Sequence, residues 1–239
     1  MARPPAALFC PVPSAAIYMK EYAALVSDIR CGTLQRRSMT ARAPQNAINL
    51  RQESSVKGLI TYFDEPGETN TEETLRLARS RAEQLGTRQI TVASTHGRTA
   101  MRAREIFHGL NVGIIAVSIC ASFEERGWTL GEDERDALNK SGITVLTSIH
   151  ALGDDVSEGF GVTAPNVVVR ETLYTFSQGM KVAVEIALMA ADAGLLDMSQ
   201  EVISIAGSGS GADTAVVLLP AYSRTFRQLR VREILAKPR

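Results

Sequence analysis

The sequence lacks an apolar run long enough to cross a bilayer, so no membrane-spanning role is expected. Neither sign of charge is in excess, because 26 Lys and Arg residues balance 26 Asp and Glu residues. Neither a nucleic-acid footprint nor a basic membrane patch is therefore expected. The three cysteines, Cys10, Cys31 and Cys120, show none of the paired spacings of zinc sites or redox dithiols, and the three histidines form no cluster in sequence. We predict no metal site and favour a reducing, cytoplasmic compartment.

What is present is the composition of an ordinary globular protein, with 45% hydrophobic and 22% charged residues over 239 positions. Residues 1–57 differ from the rest: they are rich in Pro, Ala and Arg, contain few acids and show no sustained period. We expect a poorly ordered N-terminal extension there. An Arg-rich organelle transit peptide and a start placed too far upstream are the alternatives.

Residues 58–239 are predicted to form one α/β domain. Strand-like and helix-like patterns alternate along this region, which is typical of a parallel sheet covered on both sides, a three-layer α/β/α arrangement. The last strands follow one another without a helix, and this predicts antiparallel edge strands. The predicted strands are residues 59–63, 89–94, 112–118, 143–149, 202–206, 215–219 and 231–236.

A glycine-rich loop, residues 207–214, separates two of these strands. Its three alternating glycines free the backbone to turn sharply and to approach a ligand closely, and successive backbone N–H groups in such a turn form an anion-binding concavity. Its hydroxyls can donate to phosphate oxygens. The alternative is a plain Gly/Ser hairpin turn. The loop comprises Gly207, Ser208, Gly209, Ser210, Gly211, Ala212, Asp213 and Thr214.

A second loop, residues 94–99, joins a predicted strand to a helix. In α/β sheets such loops lie where ligands bind, and the free N–H groups at the helix N-terminus attract anions. Arginine can bind phosphate through two hydrogen bonds. The alternative is simple N-capping by Ser94 or Thr95 beside an exposed arginine. The loop comprises Ser94, Thr95, His96, Gly97, Arg98 and Thr99.

Four further features carry expectations. Asn70 with Glu73 three residues later predicts a capping box at a helix start. Glu185 lies in an otherwise apolar helix, and we favour its structural pairing with a cap or a basic group over a catalytic role. We expect Trp128 to be a surface-packed indole, with a lid over a pocket as the alternative. We expect His150 to be a capping or core residue, with a ligand-binding role as the alternative.

The two loops together resemble the C-terminal α/β domain of pyruvate kinase, in which similar loops help to hold the phosphates of a sugar bisphosphate effector. The resemblance is closer to the stand-alone pyruvate kinase C-terminal-domain-like proteins of archaea and bacteria. It covers residues 58–239 and is carried by several ordered motifs. These are Tyr62-Phe63, Pro66-Gly67, Asn70-Thr71-Glu72-Glu73-Thr74-Leu75, Lys181-Val182-Ala183-Val184-Glu185-Ile186, Met189-Ala190-Ala191-Asp192 and Gly211-Ala212-Asp213-Thr214-Ala215. The chain departs from the family pattern at residues 119–123 and 159–166.

The resemblance implies a pyruvate kinase C-terminal-like fold and suggests flavin mononucleotide (FMN) as a type of ligand. The chain has no room for the barrel that carries the kinase active site. We therefore expect it to bind a phosphorylated small molecule, FMN-like or a sugar phosphate, without acting as a pyruvate kinase. A homo-oligomer is compatible with this.

Individual roles follow from the residue types. We expect hydroxyl donors at Thr95, Thr99 and Ser210, backbone donors at Gly97, Gly209 and Gly211, and charge neutralisation by Arg98. Asp213 is expected to orient its loop or to accept from a ligand hydroxyl, because a carboxylate facing phosphate would repel it. The alternative is a flavin-dependent oxidoreductase or a phosphate-ester enzyme at the same site, with His96, Glu185 or Asp213 transferring a proton.

Overall fold

The structure, a computed structural model, describes residues 58–153, 155–162 and 164–239. The predicted N-terminal extension, residues 1–57, lies outside the described residues. The predicted alternation of strands and helices over the rest of the chain is confirmed, because an α/β fold is built there on one sheet of seven strands.

The seven strands lie in the order β1-β7-β6-β5-β2-β3-β4. Strands β2, β3, β4 and β5 are parallel to one another, and β7 is parallel to β1. Strand β6 is antiparallel to both of its neighbours, β5 and β7, and β7 and β1 continue the sheet beyond it. The sheet is thus mostly parallel, as predicted, with its antiparallel pairings toward the β1 edge. The strands are β1 (Thr61–Phe63), β2 (Gln89–Ala93), β3 (Gly113–Ile119), β4 (Thr144–Ser148), β5 (Val202–Ala206), β6 (Thr214–Leu219) and β7 (Arg230–Pro238).

Six α-helices connect the strands in the described part of the chain: α1 (Thr71–Leu85), α2 (Arg98–Ile106), α3 (Glu132–Lys140), α4 (Asp155–Gly159), α5 (Pro165–Tyr174) and α6 (Gln178–Asp192). The predicted capping box at α1 is wrong. A short 3-10 turn, Glu68–Asn70, precedes this helix, and the Asn70 side chain donates to the Glu65 carbonyl at 2.7 Å instead of capping. The cap is lost because Asn70 already has helical backbone angles, φ −89° and ψ −5°, rather than the extended ones of an N-cap.

Helices pack on both faces of the sheet, because neighbouring residues of each buried strand point to opposite sides. Along β3, Ile114 and Ala116 join a core with α1, α2 and α3, whereas Ile115 and Val117 join a second core with α6. All four side chains are at least 94% buried. Covering on both sides explains why the central strands are nearly continuous apolar runs.

Strands β2 and β5 are adjacent and parallel, with Val92 beside Ile205. From β2 the chain passes through α2 to β3 on one side, whereas from β5 it turns directly into β6 on the other side. The two connections diverge and leave a crevice at the carboxyl ends of neighbouring strands, where open α/β sheets bind ligands. Both loops singled out in the sequence start at this crevice, one after Ala93 and the other after Ala206.

Candidate functional site

A cavity of about 730 Å³ lies at the carboxyl ends of β2, β3 and β5. Both predicted loops line it, so segments more than 100 residues apart in the chain share one concave surface. The predicted site residues that line the cavity are Ser94, Thr95, His96, Arg98, Thr99, Gly207, Gly209, Ser210 and Gly211.

Five other predicted site residues do not line this cavity: Gly97, Ser208, Ala212, Asp213 and Thr214. Asp213 has a structural role in the glycine-rich loop. Its carboxylate is fully buried and accepts hydrogen bonds from the Gly67 N–H at 2.9 Å, the Ser208 N–H at 3.0 Å and the Thr214 hydroxyl at 2.8 Å. Asp213 thus connects two parts of the glycine-rich loop with each other, and connects the loop with the turn before α1.

The first residue of α1 and the turn before it each make one more contact with the glycine-rich loop. The Ala212 N–H donates to Thr71 Oγ1 at 2.9 Å, and the Ser210 hydroxyl donates to Glu68 Oε2 at 3.2 Å. The other Glu68 oxygen lies 3.8 Å from an Arg98 guanidinium nitrogen. Glu68 therefore places a carboxylate between Ser210 and Arg98, two groups expected to bind phosphate.

In the loop of residues 94–99, one hydroxyl binds a helix N–H group, whereas several hydrogen-bond donors have no acceptor in the part of the chain that the structure describes. The N-cap residue of α2 is Gly97, not Ser94 or Thr95, although the Ser94 hydroxyl accepts from the Ala100 N–H in the first turn of the helix at 3.3 Å. The hydroxyls of Thr95 and Thr99 have no hydrogen-bond partner among the described residues. The N–H groups of Arg98 and Thr99 open α2 and have no helical acceptor. Several donors of this loop are therefore available to an anion.

The glycine-rich loop also presents unused donors. Among the residues that the structure describes, the N–H groups of Gly209 and Gly211 have no hydrogen-bond acceptor. Both glycines adopt positive φ, 82° and 66°, a conformation that other residues rarely take.

His96 is held by two groups outside the loops. Its Nε2 lies 2.8 Å from the Gly127 carbonyl oxygen and its Nδ1 lies 3.3 Å from Glu134. A carbonyl can only accept, so Nε2 carries a proton toward Gly127. Both ring nitrogens of His96 therefore already face protein groups.

Glu134 is a carboxylate with an altered pKa at this position. The Gly131 N–H, which donates to Glu134 Oε2 at 2.9 Å, lowers the pKa of the Glu134 carboxyl below its ordinary value of 4.5. Partial burial opposes this effect on the pKa, whereas contact with His96 adds to it. The ionised carboxylate is the form that the folded protein favours.

We expect Glu134→Gln to be less stable than the wild type at pH 7, with a difference that shrinks as the pH falls below 4.5. A lowered folded-state pKa adds stability above the unfolded-state pKa, and this is lost as the pH falls through the folded-state value. Urea unfolding of both proteins between pH 7 and pH 3 measures the effect. Glu83→Gln, at an exposed position of α1, is the control. A Glu134→Gln difference that does not change with pH would contradict the assignment.

One wall of the cavity lies outside the site predicted from the sequence. Helix α6 turns one side toward the cavity over about three turns, through Gln178, Lys181, Val182, Glu185, Ile186 and Met189. The signal in the sequence was a lysine and a glutamate four residues apart in an otherwise apolar helix. The expected pairing of Glu185 is confirmed, because its Oε2 lies 2.5 Å from Lys181 Nζ.

Aromatic side chains line another part of the cavity. The rings of Phe123 and Trp128 are stacked at 6.1 Å, and His150 meets Phe123 edge-on at 5.4 Å. The Arg126 guanidinium lies within 5.5 Å of the centroids of both stacked rings. Trp128 is 47% exposed, so it is a surface indole that also borders the cavity. Flat rings and a cation together suit a planar or anionic ligand group.

The charged side chains that line the cavity are mostly positive. Three are basic, Arg98, Arg126 and Lys181, and one is acidic, Glu185.

Within the described ranges, no group of three or more His, Cys, Asp or Glu side chains could hold a metal ion. No helix in the same part of the chain is both long and apolar enough to span a membrane. No protein-family model matches the sequence.

Proposed function

We propose that the chain binds a phosphorylated small molecule, an FMN-like nucleotide or a sugar phosphate, in the cavity between residues 94–99 and residues 207–211. The observation that carries this proposal is the convergence of both loops on one cavity at the carboxyl ends of adjacent parallel strands. The phosphate would lie at the loops, against the unused N–H and hydroxyl donors and the Arg98 guanidinium. A cavity of about 730 Å³ is within the size range of small-molecule sites.

The proposal includes a pyruvate kinase C-terminal-like fold and a role distinct from that of pyruvate kinase. The mixed sheet with helices on both faces, and the glycine-rich loop after β5, support this assignment of the fold. Fold alone does not determine function, so the ligand class rests on the donors of the two loops.

An enzyme acting at the same site is the second candidate, and the Lys181–Glu185 pair favours it. A carboxylate and an ammonium group in a cavity wall can exchange a proton with a bound substrate. Of the groups considered for proton transfer, Glu185 and His96 line the cavity, whereas Asp213 does not. Turnover that is lost in Glu185→Gln, with ligand affinity retained, would favour an enzyme over a binding protein.

Thermal denaturation with FMN and with riboflavin tests the proposal, because the two compounds differ only in the phosphate group. A ligand at 100 times its Kd adds about 2.7 kcal/mol to the free energy of unfolding. Ribitol 5-phosphate and ribitol form a second pair without the flavin ring. Stabilisation by the phosphate esters and not by their unphosphorylated partners supports the proposal. Equal effects within both pairs would contradict it.

Two substitutions should weaken phosphate binding, and a third should strengthen it. We expect Ser210→Ala and Arg98→Ala to weaken binding about tenfold each, since each removes a donor to a charged oxygen. Glu68→Gln should tighten binding about fivefold, because it removes a carboxylate that competes with phosphate for the same two groups. Isothermal titration with ribitol 5-phosphate measures all three.

Glu83→Gln changes the net charge by the same amount as Glu68→Gln, but Glu68 contacts Ser210 and Arg98, whereas Glu83 contacts neither in the described part of the chain. This control distinguishes an effect of Glu68 at the site from an effect of total charge on phosphate affinity. Weaker binding in Glu68→Gln would mean that Glu68 assists the ligand rather than competing with it.

A further inference from the structure

Lys181 is a buried cation in the wall of the cavity. Its exposed fraction is 6% and that of Glu185 is 1%, yet both residues line the cavity. An ammonium group is rarely buried without a partner, because removing a charge from water costs several kcal/mol. Glu185 supplies the opposite charge at 2.5 Å, and the ring of Tyr174 lies 5.8 Å from Lys181 Nζ.

Glu185 and Lys181 differ in how many of their hydrogen-bonding groups have a partner. Both Glu185 oxygens already accept, Oε1 from the Leu152 N–H at 3.0 Å and Oε2 from Lys181. The Lys181 ammonium has three N–H donors but only one hydrogen-bond acceptor among the described residues. The pair therefore presents unused donors to the cavity.

The pair lies beyond the phosphate loops along α6. The first turn of α6 touches the glycine-rich loop, because a methyl group on Gly179 would overlap the side chain of Thr214. Lys181 and Glu185 follow two and six residues later, about 3 and 9 Å further along the helix axis. A small phosphate ester that touches the loops can extend to this pair.

We propose that Lys181, held in place by Glu185, donates a hydrogen bond to a carbonyl oxygen at the non-phosphate end of the ligand. The site would thereby select phosphate esters that carry a carbonyl group. This inference rests on the proposed phosphate-binding function. A neutral acceptor fits better than a second anion, since a further negative charge would lie beside the Glu185 carboxylate.

Ribulose 5-phosphate and ribitol 5-phosphate form the matched pair of probes. They share the five-carbon chain and the phosphate, and they differ only in a ketone or a hydroxyl at the second carbon. The phosphate on the terminal oxygen prevents ring closure, so the ketone stays open. We expect wild-type full-length protein to bind ribulose 5-phosphate about tenfold more tightly. The ketone oxygen only accepts, whereas a hydroxyl at the same place also carries a hydrogen that must find an acceptor beside the ammonium donors, and an unsatisfied buried donor lowers affinity.

The variant Lys181→Met/Glu185→Gln should abolish this preference, by weakening the binding of ribulose 5-phosphate about tenfold more than that of ribitol 5-phosphate. Changing both residues avoids leaving an unpaired buried charge, which would destabilise the protein strongly. The amide oxygen of the introduced glutamine can still accept from the Leu152 N–H. The matched control, Glu185→Gln alone, loses the ion pair and is therefore expected to be less stable. It keeps the Lys181 donor, so where it is folded it should keep the preference. Thermal melts establish that each variant is folded.

The outcomes separate the two proposals. Equal affinity of wild type for both probes, or equal weakening of both in the double variant, would overturn the role of Lys181 and leave phosphate binding standing. A double variant that is less stable but keeps the ketone preference would show a purely structural pair and overturn it too. If neither ester binds wild type at millimolar concentration, the role of Lys181 is overturned, and if FMN does not bind either, phosphate binding fails with it.

Discussion

Asp213→Ala is expected to lower the free energy of unfolding by about 3 kcal/mol and to weaken phosphate binding more than tenfold. The buried carboxylate accepts three hydrogen bonds, and alanine leaves the N–H groups of Gly67 and Ser208 without an acceptor. Each unsatisfied donor costs about 1–3 kcal/mol when buried. The glycine-rich loop would lose its link to the turn before α1, and Ser210 its position beside the cavity. Urea unfolding and isothermal titration with ribitol 5-phosphate measure the two effects.

Asp213→Asn is the matched control for this prediction. With its amide rotated, asparagine can accept from both N–H groups through its oxygen and donate to Thr214 Oγ1 through its nitrogen. Thr214 Oγ1 lies 3.3 Å from Ser177 Oγ and can then donate there. We expect a clearly smaller loss of stability than in Asp213→Ala. If both variants bind and unfold like wild type, Asp213 does not organise the loop.

Gly207→Ala is expected to abolish detectable binding of ribitol 5-phosphate and to lower the free energy of unfolding by about 2 kcal/mol. A methyl group at this position would lie 2.5 Å from the Gly211 carbonyl oxygen and 3.0 Å from the Ala212 Cα. These are backbone atoms, so the loop itself must move. The displacement would change the positions of the Gly209 and Gly211 N–H groups.

Gly209→Ala is the control within the same loop. A methyl group there meets no atom within 4 Å, but φ is +82°. The expected cost is the backbone strain alone, about 1 kcal/mol, with a smaller loss of binding. Equal binding losses in the two variants would show that strain, rather than the close approach of residues 207 and 211, controls the loop.

Gly207 and Gly209 show which features of the loop could be predicted from the sequence and which could not. Three glycines at alternate positions predict a tight turn, but they do not show which one is required by backbone contact and which by positive φ. Likewise, Ser94 and Thr95 both had the chemistry of a cap or of a phosphate donor. The structure separates them, because the Ser94 hydroxyl binds the Ala100 N–H, whereas Thr95 has no partner within the described residues.

The sequence by itself determined the local elements of this protein: most of its strands, the turns at the two loops and the alternation that makes the fold α/β. These depend on apolar periodicity and backbone preferences within a few residues, which the sequence shows directly. It also held the signal for the Lys181–Glu185 pair, in their spacing of four.

Only the tertiary structure decided that β2 lies beside β5, and therefore that the two loops share a cavity. Strand order depends on which distant apolar faces bury one another, and no local pattern carries that information. The same holds for Glu68, whose carboxylate reaches Ser210 from 142 positions away in the chain. Such contacts form only after the sheet has brought the segments together, so the sequence could suggest the ligand-binding groups but not their arrangement.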